Sequence, residues 1–465
     1  MNLKTIIGLE IHVQLKTKSK MFCRCDNNAE GAAPNTLVCP ICMGMPGTLP
    51  VANEKAIEWT LKTGLALNCQ VAEFSRFDRK HYFYPDLPKG YQISQYDRPF
   101  CTGGFLEIDV AGDFKKIGIR RVHLEEDAGK LIHRGNATLV DLNRAGTPLM
   151  EVVSEPEINS PQEAKIFMQE LRSILRYLDV SDADMEKGHL RCDANISISI
   201  DNKEGVPVEI KNMNSFRMVE RALAYEEKRQ KEEIEKGEKI EKETRGWVDA
   251  KGVTISQRGK EYAQDYRYFP EPDLPPYRPS KAFNIENLKQ ELPELPALKR
   301  KKYIEMGLSI QDAAVISIDK NMADYFEKVA EKVNPKLAAN WVINELKSDG
   351  ILNISPEDLA ALLLKIESGE VSGKIAKEIF AEMRGNGKKP DEIIAEKGIK
   401  QIGGEEELVE IIEEVIKENE KTVADYKVGK KEALGFLVGQ VMKKTQGQAN
   451  PQLVNKLLKE KLGEN

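Results

Sequence analysis

The sequence predicts an α+β protein with an N-terminal antiparallel-sheet domain, an all-helical middle domain and a small helical tail domain. Apolar and polar residues alternate strictly in several segments before about residue 212, and helix-forming residues dominate after about residue 290. A third observation is a shift from acidic to basic composition after residue 404. With 465 residues the chain has room for about two to four domains. We place the domain boundaries at 1–290, 291–403 and 404–465.

Composition excludes several classes of protein. The net charge of −6, with 31% charged residues, indicates a soluble protein without a general attraction to nucleic acid. Any RNA contact would therefore need a local basic patch. No run of 18 apolar residues is present, and a predicted strand begins a few residues after Met1. We expect a cytoplasmic protein without a signal peptide or a membrane-spanning segment.

The first predicted strand, residues 6–15, has two contrasting faces, because successive side chains of a strand point to opposite sides. The apolar face consists of Ile7, Leu9, Ile11, Val13 and Leu15. The other face carries the carboxylate of Glu10, the imidazole of His12 and the amide of Gln14, about 7 Å from one to the next. An ordinary solvated face would carry residues such as Lys and Thr, so this face is a candidate site.

The same alternation recurs in three other segments, each with polar side chains on one face and apolar side chains on the other. The polar sets are His189, Arg191, Asp193, Asn195 and Ser197, then Glu209 and Lys211, and then Arg121, His123, Glu125 and Asp127. We therefore predict an antiparallel sheet with one face on a core and the other forming the floor of an acid-rich groove. Such a floor suits a divalent cation that holds phosphate oxygens.

This floor supplies the candidate catalytic residues. They are Glu10, His12, Glu125, Asp193 and Glu209, with Lys80, Lys89 and Lys211 as candidate phosphate or nucleotide contacts. The alternative for each residue is a surface salt bridge. As a set they favour a site, because like charges gathered on one face cost stability unless a cation is present. The sequence has no P-loop, dinucleotide fingerprint or Gly-x-Ser-x-Gly elbow. Any nucleotide must therefore be held by magnesium and scattered cations.

Two close cysteine pairs predict a metal site. Cys23 and Cys25 are followed after thirteen residues by Cys39 and Cys42. In a reducing compartment this spacing is typical of a tetrahedral zinc site with a structural role. Four free thiols or a redox pair are the alternatives. We assign no role to the three isolated cysteines, which are Cys69, Cys101 and Cys192.

Residues 77–92 combine aromatic side chains, cations and prolines in one segment, and the prolines exclude a helix. One interpretation is a loop whose aromatic faces, with Lys80 or Lys89, contact a nucleotide or an RNA end. The alternative is a rigid surface loop whose aromatic side chains pack inward.

Helical periodicity and capping residues predict the remaining elements of the first domain. Residues 53–67 and 161–178 have helical apolar spacing, and Ser160 with Glu163 forms a predicted capping box. A long charged helix is expected from Phe216 to about residue 242, with its charges on a solvated face. Strands are expected at 117–132 and 138–153, separated by glycine-containing turns.

A change of composition at residues 285–295 marks the domain boundary, and Ser355 is expected to begin a helix over 359–366. In the tail, eight lysines lie between Tyr426 and Leu462, at positions 427, 430, 431, 443, 444, 456, 459 and 461, against two glutamates. This excess is a candidate footprint for a nucleic-acid backbone. A basic, solvated helix is the alternative.

Five stretches of the sequence carry a resemblance to a known family. They are IGLEIHVQL at 7–15, VCPICMGMPG at 38–47, RKHYFYPDLPKGYQ at 79–92, HLEEDAGK at 123–130 and DYRYFPEPD at 265–273. These stretches resemble the B subunits of the bacterial-type aspartyl/glutamyl-tRNA amidotransferases. The resemblance is dense up to about residue 290 and continues as the family's helical region and tail module.

The resemblance implies an ATP-dependent amidation of misacylated Glu-tRNA(Gln), Asp-tRNA(Asn) or both. It implies a cradle-shaped sheet domain with magnesium held by Glu10, His12, Glu125 and Glu209, and with Asp193 nearby. It also implies two protein partners, a glutaminase (amidase) that supplies ammonia and a small third chain. A tRNA-binding tail and a non-catalytic zinc loop near the acceptor end complete the implied assembly. The competing interpretations are a zinc-containing RNA-binding scaffold without kinase activity and a stand-alone carboxylate ligase.

Overall fold

The computed structural model describes residues 2–110, 112–259, 266–346, 354–398, 405–428, 430, 432–445, 449 and 451–463. The chain divides into two compact units, Met1–Leu298 and Lys299–Asn465. Within the described ranges, no helix has both the length and the apolar character needed to cross a membrane.

The first unit contains a large sheet, two small sheets and a set of packed helices. Its strands are β1 (Leu3–Gln14), β2 (Gln70–Val71), β3 (Asp78–His81), β4 (Tyr91–Ser94), β5 (Cys101–Val110), β6 (Asp113–Glu126), β7 (Lys130–Arg134), β8 (Ala137–Asp141), β9 (Pro148–Ser154), β10 (Leu190–Ile200), β11 (Val208–Met213), β12 (Glu243–Val248), β13 (Val253–Gly259) and β14 (Phe269–Pro270). Its helices are α1 (Glu54–Ala66), α2 (Pro161–Tyr177), α3 (Phe216–Glu235), α4 (Pro279–Ala282), α5 (Ile285–Gln290) and the start of α6 (Pro296–Glu305).

Nine strands form the large sheet in the order β13-β12-β11-β10-β1-β9-β6-β5-β2. Strand β1 lies near the centre and pairs with β10 on one side and β9 on the other, antiparallel to both. The prediction of an antiparallel sheet holds for these strands, but β11 and β12 pair in parallel. The sheet is therefore mixed at this one pair.

The apolar face of the sheet packs on the helices of the first unit, as the alternation predicted. Ile7, Leu9 and Ile11 of β1 are fully buried, in one cluster with Phe167 and Leu171 of α2. The opposite side chains of β1 are only partly buried. The alternation in the sequence therefore predicts correctly which face of β1 packs on the core and which face is partly exposed.

The predicted helix ends are close to the observed ones, with two differences. Ser160 accepts a hydrogen bond from the backbone N–H of Glu163, as predicted, but the Glu163 carboxylate accepts from Asn159 rather than from the cap residue itself. Helix α3 ends at Glu235, because Gly237 takes a positive φ of 79°. The prediction of helix to residue 242 was wrong.

The charge run of α3 is only partly solvated. Glu226 is fully buried, and its carboxylate accepts a hydrogen bond of 2.9 Å from Thr254 of β13. It also lies 2.5 Å from Arg229 on its own helix and 3.5 Å from Arg245 of β12. Part of the charge of α3 therefore attaches this helix to the edge of the sheet.

Residues 77–92 form a hairpin rather than a loop, since β3 pairs with β4, and β14 adds a third strand. The aromatic side chains of this hairpin divide between two environments. Phe77 is buried against the core, whereas Phe83 is 86% exposed. The inward packing expected in the alternative interpretation holds for Phe77, and contact of this segment with a nucleotide or an RNA end stays a prediction. The predicted strands at 117–132 and 138–153 are each broken by a turn into two strands.

The second unit is helical. It contains most of α6 and then α7 (Ile310–Ser317), α8 (Lys320–Ala330), α9 (Pro335–Trp341) with a π-helical turn (Val342–Leu346), α10 (Pro356–Glu367), α11 (Gly373–Asn386), α12 (Pro390–Lys397), α13 (Glu405–Glu418), α14 (Glu420–Lys427), α15 (Glu432–Lys444) and α16 (Pro451–Leu462). Ser355 caps α10, as predicted. Helices α13 to α16 share a core of their own that includes Leu408, Leu437 and Leu458. The α+β class is confirmed, and the division into three domains stays a prediction.

Candidate active site

The polar face of the large sheet forms the floor of a groove of about 590 Å³. Its lining contains all five predicted catalytic residues, which are Glu10, His12, Glu125, Asp193 and Glu209. Lys80 and Lys211 line the same groove. The four separate segments of alternating sequence therefore contribute to one cavity.

The register of the sheet explains why residues distant in sequence meet in this groove. His12 of β1 lies opposite Arg191 of β10 on one side and opposite Glu151 of β9 on the other. Glu151 in turn lies opposite His123 of β6. Neighbouring strands are about 4.8 Å apart. Arg191, His12, Glu151 and His123 thus form one row across four strands.

Three residues of the groove lie close enough to hold one metal ion. The ligand atoms of His12, Glu125 and Glu151 all lie within 4.8 Å of one another. His12 Nε2 is 3.8 Å from a Glu125 oxygen and 3.5 Å from a Glu151 oxygen. Two carboxylates and one imidazole form a donor set that suits a divalent cation.

Neighbouring groups orient this cluster and set its charge. His123 Nε2 lies 3.1 Å from the Glu151 carboxylate, and Ser94 donates a 2.8 Å hydrogen bond to Glu125. Burial raises the pKa of Glu151, but the charges of His123 and His12 lower it by more than burial raises it. The pKa of Glu151 therefore lies well below its ordinary value. Glu151 is therefore an anionic donor at neutral pH, held in place by a second histidine.

The other predicted carboxylates lie in the same groove but outside this three-residue group. Glu10 accepts a hydrogen bond of 2.9 Å from Asn195. Lys211 Nζ lies 2.5 Å from Asp193 and 3.5 Å from Glu209. Of the four predicted magnesium ligands, the structure clusters His12 and Glu125 with Glu151, and it places Glu10 and Glu209 elsewhere along the groove.

The sequence did not reveal Glu151 as a groove residue, and it gave no role to Asp127. Glu151 had no periodic signal, because every residue of β9 is buried and the strand shows no alternation. Asp127 was noted only as part of a strand face, but it is buried and lies 2.7 Å from Arg191 and 3.6 Å from Arg144. Burial raises the pKa of Asp127, yet these two arginines lower it below the ordinary value.

An aromatic wall covers one side of the groove. The Lys80 ammonium lies 4.9 Å from the ring centroid of Tyr266 and 5.8 Å from that of Tyr82. Tyr96 and Tyr268 stack face to face, with ring centroids 4.4 Å apart. Burial raises the pKa values of Tyr82 and Tyr268, so both hydroxyls stay protonated and can donate hydrogen bonds.

Lys89 does not line this groove, contrary to its predicted role as a nucleotide contact. It makes a close ion pair with Glu126. Both residues line a separate cavity of about 110 Å³ that also includes Cys42 and Tyr91. The hairpin explains the difference, because Lys80 lies within β3 whereas Lys89 lies in the turn before β4.

The four predicted zinc ligands form a cluster. The sulfur atoms of Cys23, Cys25, Cys39 and Cys42 all lie within 4.8 Å of one another. The Cys39 and Cys42 sulfurs are 3.9 Å apart, close to the edge of about 3.8 Å expected for a tetrahedron with Zn–S bonds of about 2.3 Å. The donor set therefore fits zinc. All seven cysteines lie in the described ranges, and each has a free thiol.

A fully buried lysine lies against this cluster. Lys20 has no exposed surface, and its ammonium donates to the carbonyl oxygens of Leu37 (2.8 Å) and Leu142 (3.4 Å). Its third contact is the Cys42 sulfur at 3.7 Å. A hydrogen bond from Cys23 and the charge of Lys20 lower the pKa of Cys42, although burial opposes them. Cys42 is thus prepared to bind a cation as a thiolate.

Comparison with known proteins agrees with this architecture. The family described as the GatB/GatE catalytic domain matches residues 5–284, and the GatB domain family matches residues 324–462. A relative from Thermoanaerobacter pseudethanolicus, named as the B subunit of an aspartyl/glutamyl-tRNA(Asn/Gln) amidotransferase, is 52% identical over 99% of this chain and 100% of its own length. Relatives with the same name from Pseudothermotoga lettingae and Thermotoga maritima are each 51% identical. The alignment with the first covers 100% of both chains, and that with the second covers 99% of both. The chain therefore belongs to the family of aspartyl/glutamyl-tRNA(Asn/Gln) amidotransferase B subunits.

Proposed function

We propose that this chain converts glutamate on tRNA(Gln), aspartate on tRNA(Asn), or both, to the corresponding amide in an ATP-dependent reaction. One observation carries the proposal: His12, Glu125 and Glu151 converge in a polar groove of a chain that belongs to this family. The names of the relatives give the two tRNA substrates. The groove volume of about 590 Å³ is in the range of ligand sites.

The side-chain carboxylate of the tRNA-bound glutamate or aspartate must be activated before it can become an amide. An ionised carboxylate does not react with ammonia, because an oxide ion would have to leave. In the first step, a carboxylate oxygen attacks the terminal phosphorus of ATP, the bond to the bridging oxygen breaks, and ADP leaves. In the second step, the nitrogen of ammonia attacks the acyl carbon and inorganic phosphate leaves. One nitrogen proton is lost, and the product is the amide.

Phosphoryl transfer requires mainly positioning and neutralisation of charge. We propose that His12, Glu125 and Glu151 hold magnesium, which when bound neutralises phosphate charge. Glu10 and Glu209 remain proposed magnesium ligands farther along the groove, and Lys211 contacts both Glu209 and Asp193. We assign Lys80 and Lys211 to phosphate contacts, because each carries a cation into the groove.

Ammonia comes from a partner in this proposal. The sequence carries no constellation typical of an amidase nucleophile, and the relatives are named as B subunits, which implies other chains in the assembly. We propose two such partners, a glutaminase and a small third chain, and we propose a structural role for zinc at the four cysteines.

The tail is proposed to hold the tRNA body, although part of its basic charge is already paired. Lys444 lies 3.0 and 2.7 Å from two glutamates of α13, and Lys461 lies 2.6 Å from a third. In the described part of the tail, Lys427, Lys443 and Lys459 are exposed and have no ion pair. These three lysines are the best candidates for phosphate contacts. Lys431 lies outside the described residues.

Reconstitution tests the proposal directly. The purified chain is combined with its two proposed partners, Mg²⁺, ATP, glutamine and misacylated tRNA, and the aminoacyl group is analysed after hydrolysis of the ester. We expect glutamine or asparagine on the tRNA, and none when ATP or the chain is omitted. Binding of tRNA without any ATP-dependent amide would support the RNA-binding scaffold instead. Turnover of a free amino acid without tRNA would support a stand-alone ligase.

A further inference from the structure

Arg121 differs from the other arginines that line the groove. Arg191 and Arg144 both pair with Asp127, at 2.7 and 3.6 Å. Arg121 also lines the groove, and its Nε atom, like that of Arg191, is buried without a hydrogen-bond partner among the described residues. Within the described ranges, no carboxylate lies within 4.0 Å of its guanidinium group. Its charge is therefore not neutralised by these residues.

A β-bulge places this side chain. The register between β6 and β9 shifts between Ile119 and Arg121, so Arg120 is the extra residue. Arg120 is exposed and lies 2.7 Å from Glu155, outside the groove lining. Bulges redirect side chains and are common beside active sites. The bulge thus separates two adjacent arginines, one paired at the surface and one directed into the groove.

The surroundings of Arg121 include the proposed reaction centre and an aromatic surface. Val153 lies opposite both Arg121 and Glu10, so Arg121 is two strands from Glu10. His123, which contacts Glu151, lies two residues farther along the same face of β6. Tyr268 stacks on Tyr96, and the charge of Arg121 acts on its hydroxyl, lowering a pKa that burial raises. The N–H donors of Arg121 therefore line the same groove as the carboxylate cluster and the stacked aromatic pair.

We propose that Arg121 binds the phosphate oxygens of the nucleotide, so that it is a substrate-binding residue of the phosphoryl-transfer step. This inference rests on the proposed function. A guanidinium group is charged at all working pH values and offers paired donors that match phosphate geometry. The neighbouring aromatic pair favours a nucleotide over the carboxylate of the aminoacyl group, because Tyr96 is 44% exposed and presents a ring to a base.

Equilibrium binding of a non-hydrolysable ATP analogue to the assembled complex tests the role of Arg121. The analogue is titrated in Mg²⁺ into complexes that carry the native chain, Arg121→Gln or Arg121→Lys, with thermal unfolding measured in parallel. We expect Arg121→Gln to weaken binding about 10- to 100-fold, the loss expected for hydrogen bonds to a charged group. Arg121→Lys keeps the charge without the fork, and an intermediate loss is expected. Lys116→Gln, on the same strand beside Phe105, is the control and should bind as the native chain does.

Affinity for misacylated tRNA distinguishes the alternatives. It should be unchanged in all variants. Weaker binding of tRNA with unchanged binding of the analogue would assign Arg121 to the aminoacyl end and overturn the inference. Unchanged binding of both ligands in Arg121→Gln and Arg121→Lys would overturn it as well. If the native complex binds the analogue through Arg121 but forms no amide, the proposed function fails while nucleotide binding by Arg121 stands.

Discussion

Replacing Glu151 by Gln tests the metal-binding proposal at a ligand that the sequence did not reveal. The Glu151 carboxylate lies 3.5 Å from His12 and 3.1 Å from His123, and the residue is only 7% exposed. Gln keeps nearly the same shape but removes the charge. The substitution therefore takes one of two anionic donors from the cluster of His12, Glu125 and Glu151.

We expect the affinity of the groove for Mg²⁺ to fall about 10- to 100-fold, which corresponds to about 1.4–2.7 kcal/mol. The rate of amide formation should fall by a similar factor at low Mg²⁺. Part of the rate should return at high Mg²⁺, because the remaining donors still bind the ion weakly. Affinity for misacylated tRNA should not change, since the substitution leaves the tail untouched.

The assay is a Mg²⁺ titration of ATP-dependent amide formation in the reconstituted complex. Glu204→Gln is the matched control, because Glu204 is an exposed glutamate in the segment before β11. It should show the native Mg²⁺ dependence. A Glu151→Gln complex that is folded and has the same Mg²⁺ midpoint and maximal rate as the native complex would refute the assignment of Glu151 as a ligand.

Three further perturbations test the zinc loop, the groove and the tail. Lys20→Met should lower the free energy of unfolding by about 1–3 kcal/mol, because it removes the donor to two partly buried carbonyl oxygens. It should also speed zinc loss to a chelator, because the Cys42 sulfur loses its neighbouring cation. Asp127→Asn should reduce stability at pH 7 and flatten its decline in acid. The native carboxyl has a depressed pKa, so its contribution is complete above the unfolded value of about 3.9 and is lost as the pH falls through the folded value. Replacing Lys443 and Lys459 by Gln should weaken tRNA binding and reduce its salt dependence, with a slope change of about 0.7–0.9 for each phosphate that is no longer neutralised.

Each of these predictions has an outcome that contradicts it. Native stability and native zinc release in Lys20→Met would remove Lys20 from the metal site. Parallel curves of unfolding free energy against pH, measured with denaturant from pH 2 to 7, would show that Asp127 does not carry the acid dependence. For the tail, Lys444→Gln is the comparison, since Lys444 is already paired with glutamates. An equal effect of Lys444 and of the unpaired lysines would argue against specific phosphate contacts.

Alternating hydrophobicity predicted the central strands because burial in this sheet follows the same period. In β1, residues from Ile7 to Val13 alternate between complete and partial burial, and β10 begins in the same way. A signal of this kind exists only where one face is solvated. It therefore located Glu10, His12, Asp193 and Glu209 on one surface.

The same reasoning failed where a strand is buried on both faces. Strand β9 reads as a continuous apolar run interrupted by Glu151, and nothing in that run shows that the carboxylate meets two histidines. Strands β12 and β13 were missed for another reason. No element was predicted over residues 243–259, where Arg245 is paired with Glu226 and with Glu243, 3.5 and 2.6 Å away.

The hairpin of β3 and β4 places Lys80 and Lys89 in two different cavities, although they belong to one segment of the sequence. Lys80 and Lys89 are nine positions apart in one basic and aromatic segment, and both were predicted to contact a nucleotide. The pairing of β3 with β4 sends Lys80 to the groove and leaves Lys89 against Glu126 near the cysteine cluster. The pairing of the two strands, which the composition of the segment does not reveal, decides such cases.

The most direct test of the proposed mechanism is whether the γ-phosphoryl group of ATP reaches the aminoacyl group in this groove. The reconstituted complex is given γ-labelled ATP, Mg²⁺ and misacylated tRNA without any source of ammonia, and the aminoacyl-tRNA is isolated after a single turnover. We expect label on the aminoacyl group with the native chain, little label with Glu151→Gln, and loss of the label as phosphate when ammonia is added. Amide formation at the native rate without any labelled intermediate, or labelling that is unchanged in Glu151→Gln, would contradict the proposed role of the groove.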